Sequence, residues 1–187
     1  TGCMVEGKLA AEAAWNTIES GEVAGPIPEE RLRGAVEREL QRVIAPLEAE
    51  NGFTADELEE RLQKIMDEYA GGISCNYEVY RNKLLLARGY LAQLQQDLVR
   101  AKANDLYELL RVHEVIDRVY VARVLVEHLL HRKETRWRCY QERIDYPERD
   151  DENWLKFVNS RYDPDTDVVS IIERDYKQLG ESYEHQD

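Results

Sequence analysis

The sequence predicts a mainly α fold: an up-down helical bundle with a three-helix, spectrin-repeat-like core, followed by a C-terminal extended arm or β-hairpin. Three observations predict it. The 187 residues include only ten Gly and five Pro, which leaves room for long regular elements. Apolar residues recur at heptad spacing between Tyr77 and Ala101. Beyond about Arg136 that spacing stops, and turn-forming and acidic residues take over.

Residues 2 to 20 read as a helix rich in small side chains, with Val5, Leu9 and Ala13 on one face and Gly21 as its stop. Gly25, Pro26 and Pro28 mark a linker. A second helix starts at Pro28, where a missing N–H is harmless. Its stripe is Leu32, Val36, Leu40, Val43 and Leu47, and Pro46 is expected to bend or end it. Thr54 and Glu57 form a capping box for a third helix. Leu58, Leu62, Ile65 and Tyr69 repeat on its face, and Gly71-Gly72 terminates it.

The fourth helix carries Tyr77, Leu84, Leu91 and Leu98 in one seam, and Tyr80, Ala87, Leu94 and Ala101 in the other. Asn104 or Asp105 caps a fifth, whose stripe is Leu109, Val112, Ile116, Val119, Val126 and Leu130. The short break between these two long helices predicts antiparallel packing. In the arm, residues 155–161 and 168–174 are predicted strands, joined by Asp163-Pro164-Asp165-Thr166-Asp167. The expected division is 1–25, a helix plus linker; 26–135, the bundle; and 136–187, the arm.

A formal charge of −13 argues against non-specific nucleic-acid binding, because phosphate attracts a basic surface. It suits a solvated acidic surface or a basic protein partner. No run approaches eighteen apolar residues, so no direct membrane insertion is expected. No signal peptide is visible, and Cys3, Cys75 and Cys139 are widely spaced, so reduced thiols and a cytoplasmic setting are expected. The chain begins with Thr1 and helical patterning starts at once, as expected of a piece of a longer protein.

Candidates for chemistry are few. His128 and His131, with Glu127, share a helix flank with metal-ligand spacing, but the fuller His-Glu-x-x-His pattern is absent and no metal is assigned. His113, Asp117 and Tyr120 extend this polar flank. Arg132, Lys133, Arg136, Arg138 and Arg143 crowd the end of the fifth helix. They suit the helix dipole, or they anchor an acidic neighbouring domain or the arm itself. Trp137, Tyr140, Tyr146 and Trp154 lie beside them, as packing or as a partner interface. No nucleophile–base pair and no phosphate-cradling glycine loop can be argued, so no catalytic residue is assigned.

Several strings in fixed order carry a resemblance. They are Arg61-Leu62-Gln63-Lys64-Ile65-Met66-Asp67-Glu68-Tyr69, Asp105-Leu106-Tyr107-Glu108-Leu109-Leu110-Arg111 and Arg132-Lys133-Glu134-Thr135-Arg136-Trp137. Asp151-Glu152-Asn153-Trp154, Phe157-Val158-Asn159-Ser160 and Tyr162-Asp163 follow. Together they resemble the C-terminal helical domain of the flavoprotein (alpha) subunits of adenylylsulfate reductases, over roughly residues 55 to 180. Those subunits sit within the wider succinate dehydrogenase and fumarate reductase flavoprotein family. Asp145 to Trp154 resembles the tail signature of that wider family at least as well.

Glu6-Gly7-Lys8-Leu9-Ala10-Ala11 looks like the start of the last helix of the family's FAD-binding domain, with Lys8 in place of Arg. The resemblance implies cofactor proximity for Gly2 and Cys3, where free helix N–H groups would meet flavin or phosphate oxygens. It implies FAD in the full-length protein and none in this fragment alone. The implied partners are the chain's own upstream FAD-binding domain and an iron–sulfur beta subunit. The implied reaction is adenylyl sulfate to AMP and sulfite. A fumarate or succinate enzyme and a free-standing helical interaction module stand as alternatives. Arg132 to Asp163 is expected to be the docking element.

Overall fold

Thr54 fixes the start of the third helix. In the computed structural model, which describes residues 2–21, 25, 27–138 and 140–176, its hydroxyl accepts the Glu57 N–H. The Glu57 carboxylate accepts the Thr54 N–H at 2.8 Å, closing the expected capping box. Helix α3 (Ala55–Tyr69) follows. The chain divides into two units, residues 1–42 and 43–187.

The first unit holds α1 (Gly2–Glu19) and most of α2 (Glu29–Glu48). Gly21, with φ 72°, stops α1 as expected. Met4, Val5, Leu9, Trp15 and Ile18 of α1 are exposed, as are Leu32, Val36 and Leu40 of α2. Pro26 lies outside the described residues. Pro46 lies inside the last turn of α2, which ends two residues later at Glu48.

The second unit contains the bundle. Helix α4 (Arg81–Leu98) and helix α5 (Leu106–His131) join α3 around a core. Arg61 meets Asp97 while Tyr69 meets Tyr90, so α3 and α4 run antiparallel. Arg88 meets Glu127 while Gln95 and Arg123 share Asp167, so α4 and α5 are antiparallel too. Leu58, Leu84, Leu91, Leu94, Val112, Val115, Val119 and Val126 are fully buried. Each such side chain contributes about 1.5–3 kcal/mol of hydrophobic stabilisation.

Two details depart from the sequence reading. The heptad seam loses its ends. Tyr77 takes a left-handed φ of 62°, Tyr80 is the extended N-cap residue of α4, and Ala101 lies beyond the helix. Ala101 forms a parallel bridge with Phe53, whereas at the Tyr77 end the reason is pairing with the arm. The Glu142 N–H reaches the Tyr77 carbonyl and the Ile144 N–H the Val79 carbonyl, which holds this stretch extended. Strand β1 (Glu78–Val79) therefore lies parallel to β2 (Glu142–Arg143). On α5, the buried seam beside Val112, Val119 and Val126 is Val115, Ala122 and Leu129. Ile116 and Leu130 are half-buried flankers.

The arm continues through a short helix, α6 (Asp151–Trp154), into an antiparallel hairpin of β3 (Lys156–Asp163) and β4 (Val168–Asp175). Val158, Ser160, Tyr162, Val169 and Ile171 are half-buried, and the alternate residues are exposed. The final stretch of the expected arm, 177–187, lies outside the described residues. Among the described residues, no helix is long and apolar enough to cross a membrane.

Candidate functional site: the junction of arm and bundle

The end of α5 presents carbonyls with no partner in the helix itself. Arg143 supplies one from the arm. Its Nη1 donates to the Leu129 carbonyl and, at 2.7 Å, to the Arg132 carbonyl. Its Nε and Nη2 grip both oxygens of Asp145 at 2.9 Å each. Arg143 is only 4% exposed. Partial burial pushes Asp145 up, but the Arg143 guanidinium and the Arg81 N–H outweigh it and hold the carboxyl below its usual range.

Glu134 is the second hub, 3% exposed. It accepts from Arg132 at 2.5 Å, from Arg136 at 2.7 and 2.9 Å, and from the Asp150 N–H at 3.1 Å. Burial alone would raise its pKa. Arg136, the Asp150 N–H and Arg132 together hold it below the ordinary value. Thr135, also buried, receives the Arg143 N–H at 2.9 Å and donates to the Tyr146 carbonyl at 2.9 Å. Arg132 lies over the Trp154 ring, with Lys156 also against it. Asp145, Glu148 and Asp151 meet Arg143, Arg138 and Arg136.

The guanidinium cluster read from the sequence thus has its acidic partners within the chain: Glu134, Asp145, Glu148 and Asp151 take up four of the five cations. Lys133 alone of the five has no carboxylate within ion-pair distance among the described residues. Trp154 and Tyr146 pack as expected of an arm on its body, Tyr146 under Arg143. Trp137 and Tyr140 remain exposed, at 68% and 74%.

The His128–His131 flank is not drawn together as a ligand set. Glu127 is paired with Arg88 at 2.6 Å. His131 Nε2 meets Glu173 at 2.7 Å, and its ring stands edge-on to Trp154. Burial, then His131 and Arg132, lower the pKa of His128. His113 Nε2 donates to the Val43 carbonyl at 2.9 Å. Among the described residues, no group of three or more His, Cys, Asp or Glu side chains is arranged to hold a metal ion. Gly2 and Cys3 open α1, and both are exposed. Cys75 is a free thiol like Cys3, and Cys139 lies outside the described residues.

A cavity of about 400 Å³ lies between α4, α5 and the hairpin turn. Its ionisable walls are already paired: Arg88 with Glu127, and Arg123 with Asp167. Beside it, Tyr120, Val121, Val124, Tyr162 and Val169 line an apolar groove of about 380 Å³. Tyr120 and Tyr162 meet edge-on at 5.5 Å. The chemistry this arrangement performs is mechanical: it locks one element of polypeptide onto another. Sequence reasoning missed Glu134 and Asp167 as individual hubs. The only signals were their places in a basic run and a turn-forming run.

Comparison with known proteins gives a consistent picture. Residues 59–181 match the family described as fumarate reductase flavoprotein C-term. The chain is 36% identical over 121 residues to the adenylylsulfate reductase subunit alpha of Megalodesulfovibrio gigas, covering 64% of this chain and 18% of that protein. It therefore spans about a fifth of the length of that relative. It superposes on adenylylsulfate reductase from the hyperthermophilic Archaeoglobus fulgidus with a TM-score of 0.85 and 37% identity, covering 93% of this chain and 29% of that one. E. coli quinol fumarate reductase matches with a TM-score of 0.69 at 22% identity, over 87% of this chain and 28% of that one. At that identity the likeness shows the fold alone.

Proposed function

This chain belongs to the fumarate reductase flavoprotein C-terminal family, and on that premise we propose that it is the C-terminal helical domain of an FAD-dependent oxidoreductase of the adenylylsulfate reductase kind. Its task is scaffolding and subunit docking, with no complete active site in this segment. The observation that carries the choice of branch is identity: 36–37% with adenylylsulfate reductases against 22% with the fumarate enzyme. The arm–bundle lock supports the scaffolding role, because it ties Arg132, Arg136 and Arg143 together at the end of α5.

In this reading residues 1–25 are the last helix of the FAD-binding domain and its linker, 26–135 the bundle, and 136–187 the arm. Gly2 and Cys3, at the start of α1, approach the flavin of the whole protein, which reduces adenylyl sulfate to AMP and sulfite in the cytoplasm. An iron–sulfur beta subunit is the electron partner. The test is purification of the whole gene product with its associated subunits. A yellow protein whose flavin is bleached by sulfite plus AMP supports the reading. A colourless protein, or one whose flavin responds to succinate instead, overturns it.

A further inference from the structure

The outward face of the β3–β4 ribbon has a composition unlike the rest of the second unit. Strand alternation and register place Phe157, Asn159 and Arg161 on it from β3, beside Arg174, Ile172 and Ser170 from β4. All six are exposed, with Phe157 at 52% and Ile172 at 45%. Tyr176 extends the apolar part, its ring 5.9 Å from that of Phe157.

The charges on this face are nearly all of one sign. Among the described residues of 43–187, every arginine except Arg81, Arg161 and Arg174 lies within ion-pair distance of a carboxylate. Two of those three exceptions stand on this one face. Arg174 is held across the ribbon by the Asn159 side-chain oxygen, 3.1 Å from its Nε. Two of the nearby acids are engaged by other groups. Glu173 is on the opposite face, taken by Lys156 and His131. Asp163 folds back on the Asp165 N–H and the Thr166 hydroxyl at the turn. A chain of net charge −13 thus presents an apolar surface framed by two guanidinium groups that have no carboxylate within ion-pair distance among the described residues.

We infer that this ribbon face is a docking surface for an acidic, apolar-bearing segment of a partner protein, with Phe157 and Ile172 as anchors and Arg161 and Arg174 as its charge readers. Arginine suits the task because its planar fork pairs carboxylates in two-point fashion. Unpaired charge beside apolar anchors selects the partner by sign and speeds encounter. The inference makes no use of the flavin reading, and its failure leaves that reading standing.

The experiment uses the 187-residue chain, isotope-labelled, titrated with a short peptide alternating glutamate with phenylalanine and valine. Backbone amide shifts are expected to concentrate in Lys156–Asp163 and Val168–Asp175, with saturable binding. The Arg161→Glu/Arg174→Glu variant is expected to bind about tenfold more weakly or worse, and so is Phe157→Ser/Ile172→Ser. Both pairs are exposed, and unchanged α3–α5 amides in the same spectra report intact folding. A peptide with lysine in place of glutamate is expected not to saturate. Equal binding of the two peptides, undiminished binding by the arginine variant, or shifts mapping elsewhere overturns the inference. So does tighter peptide binding after removal of residues 177–187, which assigns the face to the chain's own tail. Self-association abolished by Arg161→Glu/Arg174→Glu assigns it to a second copy and overturns it equally.

Discussion

Arg123 on α5 grips Asp167 in the hairpin turn with a two-point ion pair, Nη1 to Oδ1 at 2.7 Å and Nη2 to Oδ2 at 3.0 Å. Gln95 from α4 and the Tyr162 hydroxyl share the same carboxylate, at 3.1 and 2.9 Å. One side chain therefore ties the turn to two helices and to its own strand. Asp167 also sits at φ 55°, a left-handed conformation that Asp tolerates better than most residues. Asp167→Ala removes the ties and strains the backbone. Local opening of the hairpin should become easier by roughly 1.5–3 kcal/mol, the range for a hydrogen bond to a charged group. Hydrogen exchange should report this as faster exchange in Val168–Asp175, with α4 amides unchanged. Asp167→Asn keeps the shape and should lose less.

The same contact fixes a pH response. Arg123, against some burial, and with help from Gln95 and Tyr162, holds Asp167 down at about 2. A carboxylate depressed in the folded state contributes stability that is complete above its ordinary value of about 4 and is lost as pH falls through the folded one. The hairpin anchor should therefore weaken between about pH 4 and pH 2, and not before. Tyr162 moves the opposite way, pushed up to about 12 by burial first and the Asp167 contact second. Its contribution is complete below about pH 10 and disappears as pH rises through 12. A phenolate absorbance titration should show a late-ionising component, and Tyr162→Phe should diminish it.

Glu134 should be costly to delete from the junction of arm and bundle. It is 3% exposed and neutralises Arg132 and Arg136 together while receiving the Asp150 N–H. Glu134→Ala leaves two partly buried guanidinium groups facing each other. The expected loss is about 3 kcal/mol, the low end for a broken buried pair, because both arginines keep some solvent. Glu134→Gln restores part of the hydrogen bonding and should lose less. Urea denaturation with an unchanged m-value is the check.

Periodicity made the bundle legible. Leu84, Ala87, Leu91, Leu94 and Leu98 are buried as their spacing requires, and Thr54 and Glu57 announced the start of α3 from two residues. The turn-forming run placed the hairpin to within a residue or two. What periodicity could not report is pairing between distant segments. Tyr77 fits the heptad, yet the arm pulls it out of the helix through the Glu142 N–H. The basic cluster read equally well as a surface for a neighbour, because a carboxylate's partner depends on three-dimensional proximity. Glu134 and Asp145 turned that cluster inward.

Arg143 should resist even its most conservative replacement. Its guanidinium spans the Leu129 carbonyl of α5, the carbonyl of Arg132 just past the helix, and both oxygens of Asp145 from one buried position. A lysine ammonium is a point charge with three donors and no fixed fork, so it can satisfy the carbonyls or Asp145 but not both. Arg143→Lys should lower stability by about 1–2 kcal/mol, the worth of one or two lost hydrogen bonds. Arg143→Ala should lose about 3 kcal/mol, since Asp145 then loses its ion pair and the Leu129 carbonyl its side-chain donor. The exposed Leu86→Ala, changed by less than about 0.5 kcal/mol, calibrates the measurement. If Arg143→Lys matched the wild type in urea midpoint, the cap would rest on charge alone. The geometry argues instead for the fork, because each of its nitrogens already has an oxygen partner in the arm or at the end of α5.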